Sequence, residues 1–337
     1  MSVSKGTKIA IAIAIIAIVI IAGVWYYYYA IPPTPPPKKL KIALSISGLI
    51  KDPGWPHLGY EALRKVGEKY GAEIAYTEHV AYPDIERVLR DYAEKGFDLI
   101  WGHGGEYEEA APRVAKDYPN LYFMTTGARA SETNLVAFDV KWQEMSYLAG
   151  VLAGLVTKTN KIGIISGEPY PPVVAIVEAI KLGAKSVNPN VKFFTVYTGT
   201  WIDPEKGKSV ALTQIDAGAD VILSWADLTA LGAIEAARTR GVHFIAETQD
   251  HYELSKDIAL GSSYINFDVI LEDVVKSILE GTFKGETRRP GVAEGVIDFK
   301  VIPEKVPKDV QDKVNGVRQD IIDGKIVVPA IYEPTAD

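Results

Sequence analysis

Short apolar runs alternate with amphipathic helical segments along most of this chain, and that alternation narrows the available folds more than any other feature. Residues 41–47 (KIALSIS), 72–78, 97–102 and 121–126 read as strands, and 55–70, 83–95 and 106–117 as the helices between them. The first helix is expected to stop at Gly71. After a further helix over 142–158 the pattern restarts. Strands over 161–166, 191–197, 220–225 and 242–247 enclose helices over 171–186, 204–217 and 229–240. Strands this short, β-branched and bounded by turn residues suit parallel sheets buried on both faces. Two successive sets, with no repeat at fixed spacing, predict an α/β protein of two doubly wound lobes. Ligands bind beyond the carboxyl ends of such strands. The strand-end loops of two facing lobes would therefore line a cleft.

The N-terminus carries a different signal. Residues 9–29 (IAIAIAIIAIVIIAGVWYYYY) hold no charge and follow a short basic stretch with Lys5 and Lys8. About 20 apolar residues span the hydrocarbon core of a bilayer, and an aromatic cluster at 25–29 suits its interface. The lysines predict a cytoplasmic N-terminus with the remainder outside the cell. An uncleaved anchor and a cleaved signal both remain open. No A-x-A-like site is evident, yet Lys5-Gly6 ahead of the apolar run resembles prepilin-type signals, which are cut there. The proline-rich stretch 32–39 (PPTPPPKK) reads as a stiff stalk. The expected organisation is a signal or anchor over 1–30, a linker over 31–39, and the globular part from Leu40 onward.

Composition closes several routes. Of 337 residues 47 % are apolar, the net charge is −7 and cysteine is absent. Thiol catalysis, zinc–thiolate and iron–sulfur sites are excluded, and a nucleic-acid partner is disfavoured. The five histidines (His57, His79, His103, His243, His251) show no i, i+4 pairing, so no metal site is expected. Gly207-Lys-Ser lacks the earlier glycine of a phosphate loop and lies in the helix that Asp203-Pro204 opens. His103-Gly-Gly has no G-x-S-x-G partner. No G-x-G-x-x-G follows the first strand, and no cofactor is expected.

The strand ends carry the remaining signal. Trp55, Trp101, Trp201 and Trp225 lie at or near them, and Trp142 opens the helix between the two sets. His57, Glu106, Asp227, Gln249 and Asp250 occupy the same loops. Aromatic faces beside a few carboxylates and amides suit a flat ligand that forms hydrogen bonds, a nucleobase or a sugar.

Several stretches together resemble the basic membrane protein (BMP) family of ABC-importer solute-binding proteins, which have the type I periplasmic-binding fold. They are KDPGW (51–55), ERVLRDYAEKGFDLIWG (86–102), FDVKWQEMSYLAGVLAGLVTKTNKIGIIS (138–166), AIKLGAKSVNPNV (179–191), GTWIDPEKGKSVALTQIDAGADVI (199–222) and ILEGTFKGE (278–286). The resemblance spans nearly all of residues 40–299. It implies two lobes, 40–138 plus 266–299 and 139–265 plus 300–337, with crossovers near Asp139, Asn266 and Lys300. The helix over 269–280 would belong to the first lobe.

The resemblance also implies roles. Asp52 and Trp55 match the loop that grips and stacks a purine. Trp142 and Glu144 match the aromatic-to-glutamate stretch, and Trp225 with Asp227 the base-binding loop. Gln249 and Asp250 match a loop that helps hold ribose. Three positions depart from the pattern. Thr248 replaces an aspartate, Ile265 replaces a lysine beside the retained Asn266, and Phe267 follows where a different aromatic motif is usual. The first two departures favour a free base over a nucleoside, whereas the third is a departure from the base-binding branch itself. The implied function is an extracellular receptor that captures a purine between closing lobes and docks on an ABC permease. A sugar-binding or ligand-sensing receptor of the same fold is the alternative. A nucleoside-cleaving enzyme would need a clustered aspartate calcium site or an activated nucleophile, and neither is evident.

Overall fold

The computed structural model of the protein describes residues 4–27, 39–127, 132–335 and 337. It forms two units, Met1–Lys39 and Leu40–Asp337. The first carries α1 (Lys5–Trp25), capped by Ser4, whose Oγ accepts the Thr7 N–H at 3.3 Å. None of its residues is buried, and it is long and apolar enough to cross a membrane. Most of the expected proline-rich linker, residues 31–38, lies outside the described residues.

The second unit begins with β1 (Lys41–Ile46), α2 (Trp55–Tyr70), β2 (Glu73–Thr77), α3 (Ile85–Glu94) and β3 (Leu99–His103). It continues through α4 (Ala110–Asp117), β4 (Tyr122–Thr126), β5 (Leu135–Phe138) and α5 (Trp142–Val156). Then follow β6 (Lys161–Ser166), α6 (Pro171–Val187), β7 (Lys192–Tyr197), α7 (Pro204–Asp216), β8 (Val221–Trp225), α8 (Thr229–Arg240) and β9 (His243–Ala246). The last elements are α9 (Gln249–Ser255), β10 (Ala259–Ile265), α10 (Phe267–Leu279), β11 (Thr287–Arg288), β12 (Ile297–Val301) and α11 (Lys308–Ile322).

The strands form two six-stranded sheets, β11-β5-β4-β3-β1-β2 and β12-β10-β9-β8-β6-β7. Every pairing is parallel except β10 with β12. Strands β1–β5 and β6–β10 take the same order, so each lobe reverses strand order beside its own first strand. That reversal opens a crevice at the strand ends. Central strands such as β1 and β3 are buried along nearly their whole length, which is why they read as unbroken apolar runs.

The chain passes between the sheets three times, and the passing segments are joined through their backbones. Asp139 and Lys141 donate N–H groups to the carbonyls of Arg288 and Pro290, both at 2.9 Å. Asn266 donates its backbone N–H to the Val296 carbonyl at 2.8 Å and its amide Nδ2 to the Gly295 carbonyl at 2.8 Å. The third boundary, expected at Lys300, falls inside β12, which is paired with β10 in the second sheet from Ile297 onward. α10 lies against α2 on the first lobe, where Lys69 pairs with Glu272 at 2.8 Å.

The helix expected over 106–117 is divided. A 3-10 turn spans Gly105–Tyr107, and α4 starts only at Ala110. Pro112 has no N–H to continue a helix begun earlier but fits the first turn of one begun at Ala110.

α5 and α6 pack through glycine contacts. A Cβ on Gly183 would lie 2.0 Å from the Tyr147 carbonyl oxygen, and one on Gly150 would lie 2.1 Å from that of Ile180. Backbone cannot yield as a side chain does, so Gly183→Ala is expected to cost about 1–3 kcal/mol of stability. Urea unfolding of the variant beside the parent measures it, and an unchanged midpoint would refute the close approach.

Candidate ligand-binding site

The site starts from the turn between β1 and α2. Gly54 has φ +102°, a value that glycine adopts without strain, and it leads directly into α2. Trp55 is the first residue of that helix, and Pro56 occupies a position where its missing N–H costs nothing. The His57 Nδ1–H donates to the Ile50 carbonyl at 3.0 Å and ties the turn together. Asp52 is partly buried, and burial followed by the charge of Glu78 pushes its carboxyl above the usual range.

The Trp55 indole is held by other rings. His103 stacks on it, centroids 4.5 Å apart and planes 9° from parallel. Trp142 and Phe267 meet it edge-on at 5.6 and 5.0 Å. His103 is fully buried, and its hydrogen bonds set its tautomer. Nε2 lies 3.0 Å from the Trp55 carbonyl, which can only accept, so Nε2 carries the proton. Nδ1 then accepts from the Thr126 hydroxyl at 2.6 Å, and Thr126 Oγ1 in turn accepts the Trp101 indole N–H at 3.2 Å. Burial lowers the His103 pKa to about 3, so the ring is neutral. Trp101, one of the strand-end tryptophans, is a core residue with no exposure.

Across from this aromatic group lie the loops after β8 and β9. Glu247 is buried and accepts the N–H groups of Ala226 and Asp227 at 2.6 and 3.1 Å. His251 Nε2–H donates to the Asp227 carbonyl at 3.0 Å, while its Nδ1 lies 2.7 Å from Thr248 Oγ1 and 3.2 Å from Glu247 Oε1. Burial lowers His251 to about 4. Burial, and then the neighbouring Asp227, raises Glu247 well above the usual carboxylate range. Asp227 itself is raised to about 7, chiefly by burial and further by Asp52, against the opposing hydrogen bond from the Trp55 backbone N–H. Asp250 Oδ2 accepts the Gly54 N–H at 3.0 Å.

Asp52, Trp55, Asp227 and Asp250 therefore converge, with Trp142 behind Trp55. Each of the other expected residues has partners of its own. Gln249 pairs with the backbone of Ile265 through both ends of its amide, at 2.8 and 3.1 Å. Asn266 serves the crossover, and Glu144 accepts the Val292 N–H at 2.9 Å beside it. The Glu106 carboxylate folds against Gly104, whose Cβ would meet it at 2.2 Å. Trp201 packs its ring on Gly167, and the carbonyl of Trp225 accepts the Ser166 hydroxyl at 3.0 Å. Sequence reasoning does not reach Glu247 or Phe267 as site residues. Glu247 follows β9 just as the expected residues follow their own strands. Phe267 enters only as a departure from a family motif.

Three comparisons bear on the chain. A family model for PnrA-like ABC-transporter substrate-binding proteins, Bmp, matches residues 39–332. A putative ABC transporter glucose-binding protein of Haloferax volcanii is 32 % identical over 281 residues, 83 % of this chain and 71 % of that protein. A purine-binding protein of Brucella abortus is 30 % identical over 275 residues, 80 % and 78 % of the two chains. A transcriptional activator protein of Bacillus subtilis is 27 % identical over 81 % of this chain and 86 % of its own. Among solved structures, an ABC solute-binding protein of Conexibacter woesei superposes with a TM-score of 0.75 at 24 % identity, covering 87 % of this chain and all of its own. One from Aeropyrum pernix gives 0.76 at 21 % identity, covering 87 % and 94 %.

The buried histidine carries a pH signature. Its folded pKa lies below the ordinary value of about 6.5, so the unfolded chain binds the proton first as pH falls. Stability from this source is complete above about 6.5 and is lost on acidification toward about 3. The stability difference between the parent and His103→Gln is expected to shrink by about 2 kcal/mol from pH 6.5 to pH 5. Urea unfolding at both pH values measures it. A constant difference would mean that His103 is not held neutral.

Proposed function

The chain belongs to the Bmp family of PnrA-like ABC-transporter substrate-binding proteins, and from that premise we propose that it is the extracellular receptor of an importer, taking a purine, the free base before the nucleoside. The observation that carries this reading is Trp55, partly exposed at the head of α2, backed by His103 and braced by Trp142 and Phe267. A rigid indole suits a flat aromatic ligand. Asp52 and Asp227 beside it offer acceptors for an amine or a ring N–H. A pKa of about 7 also lets Asp227 donate to a ring nitrogen at neutral pH. Base over nucleoside is supported by Gln249, whose amide is spent on Ile265 rather than left for ribose. The purine-binding relative of Brucella supports the ligand class.

α1 supports anchoring. Its uncharged run follows Lys5 and Lys8, which favours a cytoplasmic N-terminus and an external domain. The ligand is released to a permease of the same importer. Capture requires the lobes to open, and the contacts made only in the shut form determine how firmly ligand is held.

A sugar reading has its own support in the Haloferax relative, a putative glucose-binding protein, because sugars also stack on tryptophan. Native mass spectrometry of the purified chain separates the two by the mass retained. With adenine as probe, Trp55→Ala is expected to weaken binding by about 1–3 kcal/mol in calorimetry, at unchanged folded content. Tight glucose binding with no response to adenine or guanine would overturn the purine reading.

A further inference from the structure

The first N–H groups of a helix have no partner within it and need caps from elsewhere. At α2 the capping residue is Gly54, which has no side chain to supply one. The caps come from the other lobe. Gly54 N–H donates to Asp250 Oδ2 at 3.0 Å, between residues 196 positions apart in sequence, and the Asp227 carboxylate stands against the same turn. The approach depends on the missing side chain. A Cβ on Gly54 would stand 2.8 Å from Asp227 Oδ1 and 3.3 Å from His251 Cε1. Asp227 is itself held in place, at φ +43°, with its N–H on Glu247 and its carbonyl on His251.

We propose that Asp227 and Asp250 form a proton-sensitive latch: the second lobe caps the open end of α2 on the first, so that the cleft shuts by completing a helix terminus, and the charge on Asp227 sets how firmly it shuts. The proposal rests on the reading of the chain as a receptor whose lobes open and close. The groups that face Asp227 are Asp52 with Glu78 behind it, Glu247 after β9, and Asp250 and His251 on α9. His251 is neutral above about 4, so shutting the cleft gathers carboxyls without a compensating cation among these groups. The Trp55 N–H offsets part of this cost. In the open form Asp227 returns to the solvent and to an ordinary pKa of about 4. In the shut form it stands at about 7. Between those limits closure takes up a proton. The ratio of shut to open therefore falls, by up to about tenfold per pH unit, as pH rises from about 4 to 7, and is flat above.

The chain has no cysteine, so Lys116→Cys and Lys206→Cys place one fluorophore on each lobe of the full-length protein in detergent. Resonance energy transfer then follows closure from pH 5 to 9 without ligand. The parent's ratio of shut to open is expected to fall by about tenfold or more between pH 5 and 7. Asp227→Asn, which keeps an acceptor but cannot ionise, is expected to give a flat profile. Gly54→Ala leaves every carboxyl in place and is expected to stay open at all pH values; it carries the test if Asp227→Asn does not fold. A parent with no pH response, an Asp227→Asn variant with the parental response, or a Gly54→Ala variant that shuts like the parent overturns the latch. Adenine added to the same preparation separates the two readings. Closure by adenine with no pH dependence defeats the latch and keeps the receptor. A pH-dependent closure that ignores adenine keeps the latch and defeats the purine ligand.

Discussion

The backbone donors at the start of α2 are the point on which the arrangement of the site depends. A helix that begins with glycine after Asp52-Pro53 cannot cap itself, and its first N–H groups must be met from outside. Asp250, on α9, accepts one of them, and Asp227, after β8, stands against the same turn. The same turn presents Trp55, so the residue best suited to stack a ligand and the contact that joins the lobes come from one stretch of chain. Whatever moves α2 against the loops after β8 and β9 moves both. In the proposed receptor, ligand binding and lobe closure would therefore be coupled by covalent continuity, with no relay between them.

The two sides of the contact handle burial differently. The first lobe buries a neutral array: Trp101, Thr126 and His103 donate in sequence, ending on the Trp55 carbonyl, and each polar atom named there finds a partner. The second buries acids. Glu247 is stabilised by two backbone N–H groups at 2.6 and 3.1 Å, but burial still lifts its pKa and that of Asp227. A neutral aromatic wall is insensitive to pH near neutrality. A pair of crowded carboxyls is not. A response of this cleft to external pH therefore originates in its carboxyls, Asp227 and Glu247 on the second lobe with Asp52 facing them from the first.

Much of the fold was legible in the sequence where turn chemistry marks the boundaries. The helices Trp55–Tyr70 and Thr229–Arg240 and the strand Lys161–Ser166 occupy the residues expected, because proline or glycine stands at their ends. The reading weakened where such marks conflict or are missing. Pro112 divides a segment with an otherwise continuous helical pattern. β10, with the sequence Ala-Leu-Gly-Ser-Ser-Tyr-Ile, has little β propensity of its own and is a strand because β9 and β12 flank it. Gly207, whose surroundings already lack the earlier glycine of a phosphate loop, is a packing residue. Its Cβ would lie 2.0 Å from the Thr229 carbonyl oxygen, where α7 meets α8. The site was legible as residue types at strand ends, but their hydrogen bonds were not. Nothing in the sequence says that Gln249 turns to Ile265 while Asp250 reaches across to Gly54, because that choice is made by the sheet on which α9 rests.

That distinction bears on what the cleft can recognise. Both ends of the Gln249 amide, Nδ2 of Asn266 and Nδ1 of His57 are engaged by backbone partners. The carboxyls of Asp52 and Asp227 stand near Trp55, and Asp250 spends one oxygen on Gly54. Such a set recognises a ligand that brings donors of its own, and it repels one that carries phosphate. Asp227 widens the range, because a carboxyl near its midpoint at neutral pH can accept in one protonation state and donate in the other. A purine base offers both kinds of edge atom on a flat ring, whereas a sugar offers hydroxyls that either state can satisfy. Binding of a base should therefore depend on the charge of Asp227 more steeply than binding of a sugar. In the proposed receptor, the carboxyl that faces α2 across the cleft would also be the one that distinguishes the ligands.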